Sequence, residues 1–212
     1  MKSRAWLALF LIVLASSLLH GDTILVGAPN ETPYTFYPIW NTGIFEAAEF
    51  TLSSNQAVST IDLYLLGGPS DHYDFALQNA LTGSITTFAT ASLTGAGNPA
   101  QVVTMNVNQV LPAGTYFLVG TTADGYLGGW EVSDGVYIQN AGTVTDGIWQ
   151  TLDGGATWTF VDPSTTIPGD GLLCPDCFAP EFVVHGVPEP GSLALLGSAL
   201  TGWAVVRRKQ RR

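Results

Sequence analysis

Two cysteines separated by two residues, Cys174 and Cys177, are the side chains best suited to redox or metal chemistry. A thioredoxin-like pair would have to open a helix within a βαβ unit, and the surrounding sequence shows no such pattern. Zinc would need four ligands, and the histidines outside the first 21 residues, His72 and His185, do not have zinc-finger spacing. In an oxidising compartment, two nearby cysteines most simply form a local disulfide. We therefore favour a Cys174–Cys177 disulfide over a metal or redox site.

Acidic side chains offer a second chemistry, because carboxylate oxygens are the ligands that Ca²⁺ prefers. The segments that contain Asp71 and Asp74, and Asp124 and Asp134, are the places where we would look for such a site. Neither segment matches an EF-hand or a repeat-type calcium loop. The alternative, which we favour, is that these acids lie on solvated turns. No other cofactor is expected.

Aromatic residues offer a third chemistry, since exposed rings can stack on the apolar faces of sugars. Trp130, which follows two glycines, and the nearby Tyr126 are the candidates for an exposed platform of this kind. The alternative is that the aromatic residues pack in a core or pair across strands. Trp149 and Trp158, for example, could face each other across a hairpin.

Residues for catalysis are harder to find. Glu46 and Glu49 could form an acid pair, but on a strand they would point to opposite faces. No Gly-x-Ser-x-Gly elbow occurs, and the acids beside His72 are its neighbours in sequence, which rarely align as a relay. We therefore predict that the protein is not an enzyme.

The charge pattern excludes several further functions. All seven Lys and Arg residues lie at the two ends of the chain, and none lies between Asp22 and Val206, where all 17 Asp and Glu residues are found. That middle segment has no lysine for a Schiff base, no guanidinium for a phosphate and no cationic surface for nucleic acid. We expect no nucleic-acid partner and repulsion from other polyanions.

The middle segment, residues 22–187, has the length of one domain with a substantial core. Short runs of alternating apolar residues are typical of strands: Ile61, Leu63 and Leu65 share one face, as do Val103, Met105 and Val107. Asp-Gly pairs in the second half predict tight turns, and Asp153 and the two glycines after it should join two short strands in a hairpin over 149–158. This pattern predicts an all-β fold, a single antiparallel β-sandwich that is jelly-roll-like.

The first 21 residues read as a secretory signal peptide. Lys2 and Arg4 precede an apolar run from Trp6 to Leu14, which is the order of the n- and h-regions. Cleavage could follow Gly21 or Ser17, and we favour Gly21 because the residues after it resemble a strand. Export through the Sec translocon is therefore expected.

The last 25 residues, 188–212, contain three elements in a fixed order. Pro188, Glu189 and Pro190 precede an uncharged stretch, residues 191–206, and the chain ends with the basic residues Arg207, Arg208, Lys209, Arg211 and Arg212. As a helix, the uncharged stretch would span about 24 Å against a hydrocarbon core of about 30 Å. It predicts a short transmembrane helix whose basic end stays cytoplasmic.

This C-terminal pattern resembles a PEP-CTERM sorting signal, found on exported proteins of Gram-negative bacteria that make extracellular polysaccharide. The resemblance implies that an exosortase, a membrane-embedded cysteine transpeptidase, cuts near Pro188–Pro190. The protein would be anchored transiently in the inner membrane and then reach the cell surface or the extracellular space.

The middle segment is similar to the choice-of-anchor β-sandwich domains that often precede such signals, through the order of its predicted strands from Ala47 to Gly186. Together the two resemblances imply an extracellular-matrix protein associated with polysaccharide or biofilm. A secreted carbohydrate-binding module, with or without Ca²⁺, is the alternative; a plain tail anchor is the alternative for the C-terminus.

Overall fold

The structure is a computed structural model that describes residues 23–29, 36–39, 45–67, 71–94, 97–122, 128–133, 135–161 and 178–187. Residues 24–186 belong to one compact unit. The predicted signal peptide, the Cys174–Cys177 pair and the sorting signal lie outside the described residues. No helix in the described part of the chain is long and apolar enough to cross a membrane.

The described residues are entirely β-structure, as predicted, with no helix among them. The strands are β1 (Thr23–Ala28), β2 (Phe36–Ile39), β3 (Phe45–Leu52), β4 (Gln56–Gly67), β5 (His72–Gln78), β6 (Thr87–Thr94), β7 (Gly97–Leu111), β8 (Gly114–Thr122), β9 (Gly128–Glu131), β10 (Ile138–Gln139), β11 (Gly142–Val144), β12 (Ile148–Thr151), β13 (Thr159–Val161) and β14 (Phe182–Gly186).

The strands form two antiparallel sheets. The first has the order β10-β1-β14-β4-β9-β2, and β7 also pairs with β4. The second has the order β13-β12-β3-β8-β5-β6, and β11 also pairs with β3. The last strand, β14, therefore lies inside the first sheet, between β1 and β4, although it is the last strand in sequence.

The two sheets share one hydrophobic core. On β4, Ile61, Leu63 and Leu65 are buried, as their alternation predicts, and on β3 the inward residues include Phe50. Phe50 of the second sheet lies 5.5 Å, centroid to centroid, from Phe182 of the first. Burying an aliphatic or aromatic side chain of this size contributes about 1.5–3 kcal/mol, so this shared core accounts for the pairing of the sheets as a sandwich. The finer, jelly-roll-like arrangement stays a prediction.

A tyrosine fixes the turn that leads into β8. The hydroxyl of Tyr116 donates a 2.6 Å hydrogen bond to the carbonyl oxygen of Pro112, four residues earlier. This contact resembles the tyrosine corner of β-sandwiches. The Tyr116 ring also stacks on Phe50, at 5.5 Å between centroids, so the same side chain joins the turn to the core.

Asp-Gly pairs provide turns, although one of them is longer than predicted. Gly147 and Gly154 have φ values of +128° and +72°, which glycine adopts without strain. The hairpin of β12 and β13 exists, but its loop spans residues 152–158 rather than Asp153 to Gly155. Trp149 consequently lies opposite Phe160, and the prediction that it faces Trp158 is wrong. The loop is longer because Asp153 accepts hydrogen bonds from Thr151 and Thr157 within it.

Candidate functional site

Most of the side chains predicted to act in sorting, disulfide formation, metal binding or sugar stacking lie outside the described residues. These are Pro188, Glu189, Pro190, Arg207, Arg208, Cys174, Cys177, Asp124, Asp134 and Tyr126. Their predicted roles stay predictions. The structure places three of the predicted site residues: Trp130, Asp71 and Asp74.

Trp130 is not an exposed platform, so that prediction is wrong. Its side chain is 0% exposed, because β9 pairs with β4 in a register that sets Trp130 opposite the core residue Leu65. The indole Nε1 donates a 2.8 Å hydrogen bond to the carbonyl oxygen of Glu181, and the ring meets Phe75 edge-on at 5.0 Å between centroids. The two glycines before Trp130 belong to a strand, where the N–H of Gly129 donates to the Tyr73 hydroxyl.

The acids proposed for Ca²⁺ do not converge in the described part of the chain. Asp74 lies on β5, where it accepts a hydrogen bond from the Ser92 hydroxyl, and Asp71 precedes the strand. Nowhere among the described residues do three His, Cys, Asp or Glu side chains lie close enough together to hold a metal ion.

A different surface brings aromatic and polar side chains together: the outer face of the second sheet. One row across this face runs in register from Trp149 through Ala47, Val119 and Ala76 to Thr90. Five strands thus contribute one residue each. Ala47 and Val119 in the middle of the row are buried, at 0% and 8% exposed, so the accessible parts of the row are Trp149 at one end and Ala76 and Thr90 at the other. Since neighbouring strands are about 4.8 Å apart, the row is about 19 Å long. We call this surface, formed by the outward side chains of β12, β3, β8, β5 and β6, the groove face.

Aromatic rings form one end of the groove face. Trp149 lies 6.3 Å from Phe117 and 5.2 Å from Phe160, measured between ring centroids, and all three side chains are partly exposed. The indole Nε1 of Trp149 donates a 2.7 Å hydrogen bond to Oε2 of Glu49. The hydrogen bond to Glu49 and the contacts with the two aromatic rings therefore fix the orientation of the indole.

Polar groups form the other end, around a shallow groove of about 370 Å³. Asp74 stands between Ser92 and Thr121 in the sheet, and its carboxylate accepts a hydrogen bond from the Ser92 hydroxyl. The Thr90 side chain also lines the groove, and the apolar part of the lining comes from Phe75, two alanines and Val119. The groove thus offers one carboxylate and several hydroxyls above a flat, small-residue floor.

Glu46 lies on the opposite face of the same strand as Glu49, which confirms that the two glutamates do not form an acid pair. Glu46 is 0% exposed, and its Oε1 accepts a 2.7 Å hydrogen bond from Nε2 of Gln150. Among the described residues, its Oε2 has no hydrogen-bond partner. Burial raises the pKa of Glu46 well above its usual range, and the hydrogen bond from Gln150 acts in the opposite direction.

Sequence reasoning missed the groove face, although part of the signal was present. The sequence suggests for Trp149 only a cross-strand pair within its own hairpin, and for Glu49 only a possible role in catalysis. The alternation on β3 does predict that Glu49 and Ala47 share a face. The pairing that sets Trp149 opposite Ala47, however, joins two strands that lie about 100 residues apart in the sequence. Local sequence patterns do not predict such a pairing.

Comparison with known proteins gives one family match. Residues 186–210 match the model of the PEP-CTERM protein-sorting motif. No curated protein sequence matches the chain. Among solved structures, a mutant VP2 protein of infectious bursal disease virus in T=1 particles is similar at 11% identity, with a TM-score of 0.29, over 80% of this chain and 37% of that chain.

A second similar structure, a VP2 subviral particle of infectious bursal disease virus, has 12% identity and a TM-score of 0.16, over 91% of this chain and 48% of that chain. At TM-scores this low, neither likeness bears on fold or function. The match to the sorting motif begins at Gly186, the last residue of β14.

Proposed function

We propose that this protein is a non-enzymatic surface or extracellular-matrix protein that binds neutral polysaccharide at the groove face. The sorting motif over residues 186–210 supports an exported protein that passes through a membrane-anchored intermediate and is processed by an exosortase. Location in a biofilm or on the cell surface, and polysaccharide as the partner, are the further steps that we propose.

The position of the motif supports processing of an already folded domain. β14 ends at Gly186, and Pro188 follows after one residue, Val187. A cut at Pro188–Pro190 therefore removes no residue of β14. Because β14 pairs inside the first sheet, between β1 and β4, the released domain keeps all its described strands.

The row from Trp149 to Thr90 is the observation that carries polysaccharide binding. A partly exposed indole with a fixed orientation suits the apolar face of a sugar ring. Two to four strand spacings further along the row, hydroxyls and the Asp74 carboxylate line a groove that can donate hydrogen bonds to sugar hydroxyls and accept hydrogen bonds from them. Its length along the row suits a chain of several sugar units better than a single sugar.

The charge of the domain supports a neutral polymer as the ligand. Glu49 and Asp74 are the acids on the groove face, and no Lys or Arg occurs between Asp22 and Val206. A polyanion such as a uronic-acid polymer or nucleic acid would meet only like charge. Neutral sugar hydroxyls, in contrast, can donate to both carboxylates.

Affinity electrophoresis of the processed protein from its own host tests the proposal. We expect retardation in gels that contain neutral glucans or mannans and none in gels that contain a polyuronate. Retardation should persist in EDTA, because no metal takes part in the proposed contacts. Equal migration in every gel, with polysaccharides from the host included, would contradict polysaccharide binding and leave the sorting proposal intact.

A further inference from the structure

Three strands of the sandwich, β6, β7 and β8, carry no charged side chain. No Asp, Glu, Lys, Arg or His occurs between Asp74 and Asp124. This segment contains β6, β7 and β8. β6 ends the strand order of the second sheet, and β7 has a single partner, β4, among the described strands. All the acids of this acidic protein therefore lie on other strands and loops.

β7 is a long strand with one unpaired side in the described sheet. It spans Gly97–Leu111 and pairs with β4 over most of its length. In an antiparallel strand, every second residue directs its N–H and C=O groups away from the partner. Over residues 100–107 the strand contains no proline, glycine or charged residue. Such an edge is a template for pairing with another strand.

Proteins usually protect an edge of this kind with lysine, inward-pointing charges, proline or a bulge. Among the described residues of β7, proline and an irregular register occur only at the two ends of the strand. Pro99 lies near its start, and at its other end the register shifts beside Asn108, which has a φ of +50°. Gln109 at that end also donates a hydrogen bond to the backbone of Phe88 on β6. The eight residues between these ends have no such device.

The side chains on this part of β7 fit a protein surface better than water. Val102 in this part of the strand is 49% exposed, and Val110 at the adjoining end of β7 is 66% exposed. The polar neighbours are uncharged, and the nearest acid in the ladder, Asp62, already accepts a 2.7 Å hydrogen bond from Thr104 and contacts Nε2 of His185 at 2.9 Å. Among the described residues, the edge thus presents unpaired backbone groups and exposed valines, and few charged side chains lie nearby to oppose pairing with a second strand.

We infer that a second copy of this chain adds to this edge, with β7 pairing antiparallel to β7 of its partner about a two-fold axis. Two processed molecules repel each other over most of their surfaces, because the segment from Asp22 to Glu189 holds all 17 Asp and Glu residues and no Lys or Arg. This edge is where identical molecules can approach with the least repulsion. An antiparallel pair of identical strands is self-complementary, as a two-fold interface requires. The first sheet then continues from one molecule into the next, and the groove face on the second sheet stays open in both copies.

Sedimentation velocity of the processed protein over a wide concentration range tests this inference, with Val102→Glu and Val136→Glu as matched variants. Both replace an exposed valine, 49% and 62% exposed, and both add one negative charge, but Val136 lies outside β7. We expect the unsubstituted protein and Val136→Glu to dimerise. Val102→Glu should weaken dimerisation at least about tenfold, because like charges facing each other across an interface are strongly unfavourable.

Salt provides a second readout. Added salt should strengthen dimerisation of the unsubstituted protein by screening the repulsion between its acidic surfaces. Circular dichroism should show that both variants are folded, and both should bind polysaccharide as the unsubstituted protein does. A protein that stays monomeric at all concentrations and salt levels, or equal dimerisation constants for the two variants, would overturn the inference without affecting the groove face.

Discussion

The indole nitrogen of Trp149 and the carboxylate of Glu49 are joined by a 2.7 Å hydrogen bond on the outer face of the second sheet. The two residues lie on neighbouring strands but not directly opposite each other, since Trp149 pairs with Ala47. The bond involves only the N–H edge of the indole. The rest of the ring contacts Phe117 and Phe160 and is partly exposed to solvent. A tryptophan held in this way suits stacking, because little side-chain entropy remains to be lost when a ligand binds.

Replacement of Trp149 by alanine should therefore clearly reduce retardation in neutral polysaccharide gels. If the contact is worth as much as a pair of aromatic side chains, about 0.5–1.5 kcal/mol beyond the buried area, its loss weakens affinity about two- to tenfold. Trp149→Phe should keep part of the affinity. Isothermal titration with a soluble oligosaccharide of the retarding polymer measures both values.

Ser92→Ala is the matched variant at the polar end of the groove. It removes the hydroxyl that donates to Asp74 without changing an aromatic ring, so we expect a smaller loss of affinity than for Trp149→Ala. If Trp149→Ala binds as well as the unsubstituted protein, the groove face is not the binding surface.

Trp130 should affect stability and not binding. Because the side chain is fully buried and its Nε1 donates to the Glu181 carbonyl oxygen, Trp130→Ala should lower the free energy of unfolding by about 3–5 kcal/mol. Urea unfolding followed by circular dichroism measures this change. Trp149→Ala, on the partly exposed face, should cost distinctly less, and equal costs for the two variants would contradict the burial of Trp130.

Glu46→Gln should make the protein more stable near neutral pH. The folded-state pKa of Glu46 is raised by burial, so the folded state binds more protons than the unfolded state above the unfolded-state value near 4.5. The contribution of Glu46 to the free energy of unfolding is therefore most favourable below about pH 4.5, and this contribution is lost as pH rises through the folded-state pKa. Glutamine resembles the protonated carboxyl group at every pH, so the variant should not lose stability as pH rises.

Thermal unfolding between pH 4 and pH 8 compares Glu46→Gln with Glu49→Gln, which removes a charge from the other face of the same strand. We expect Tm of Glu46→Gln to exceed that of the unsubstituted protein at pH 7 and to match it near pH 4. A lower Tm at pH 7 would show that the ionised carboxylate is stabilised in the fold.

Asp153 should stabilise its loop at neutral pH, where Glu46 lowers the stability of the fold. Hydrogen bonds from the side chain and backbone of Thr157, and then from Thr151, lower the pKa of Asp153 to about 2. A carboxyl group whose pKa is lowered by folding stabilises the folded state at pH values above its unfolded-state pKa, here near 3.8. This stabilisation is lost as pH falls through the folded-state pKa of about 2. Hydrogen exchange over residues 152–158 should accelerate in Asp153→Ala at neutral pH. Equal exchange rates in the two proteins would contradict the role of Asp153 in closing the loop.

Trypsin should leave the domain uncut even after denaturation. No Lys or Arg lies between Asp22 and Val206, so the protease can act only near the ends of the chain. Mass spectrometry of a digest in urea should show one large fragment that contains the whole domain. A protease that cuts at Phe, Tyr and Trp provides the control, and it should cleave the denatured but not the folded protein.

Sequence alone predicts much of this fold because its signals are local. The alternation at Ile61, Leu63 and Leu65 and the strand at the end of the domain follow from period-two burial. Even the opposite orientation of Glu46 and Glu49 follows from their spacing. These features depend only on residues close together in the chain.

The candidate site could not be predicted in the same way, because it depends on register between distant strands. Gly128 and Gly129 suggest a loop before Trp130, yet the pairing of β9 with β4 turns the indole into the core. Trp149 and Asp74 come onto one face only through the intervening strands β3 and β8. A tryptophan's exposure in a sandwich is thus decided by which strand it pairs with, and short segments do not carry that information.

The intact mass of the protein recovered from the medium or surface of its own host tests the central claim most directly. We predict a species that begins near Asp22 and ends between Pro188 and Gly191, which an exosortase cut at the sorting motif would produce. A protein that retains Arg212 and is found only in the membrane fraction would contradict processing and export to the matrix.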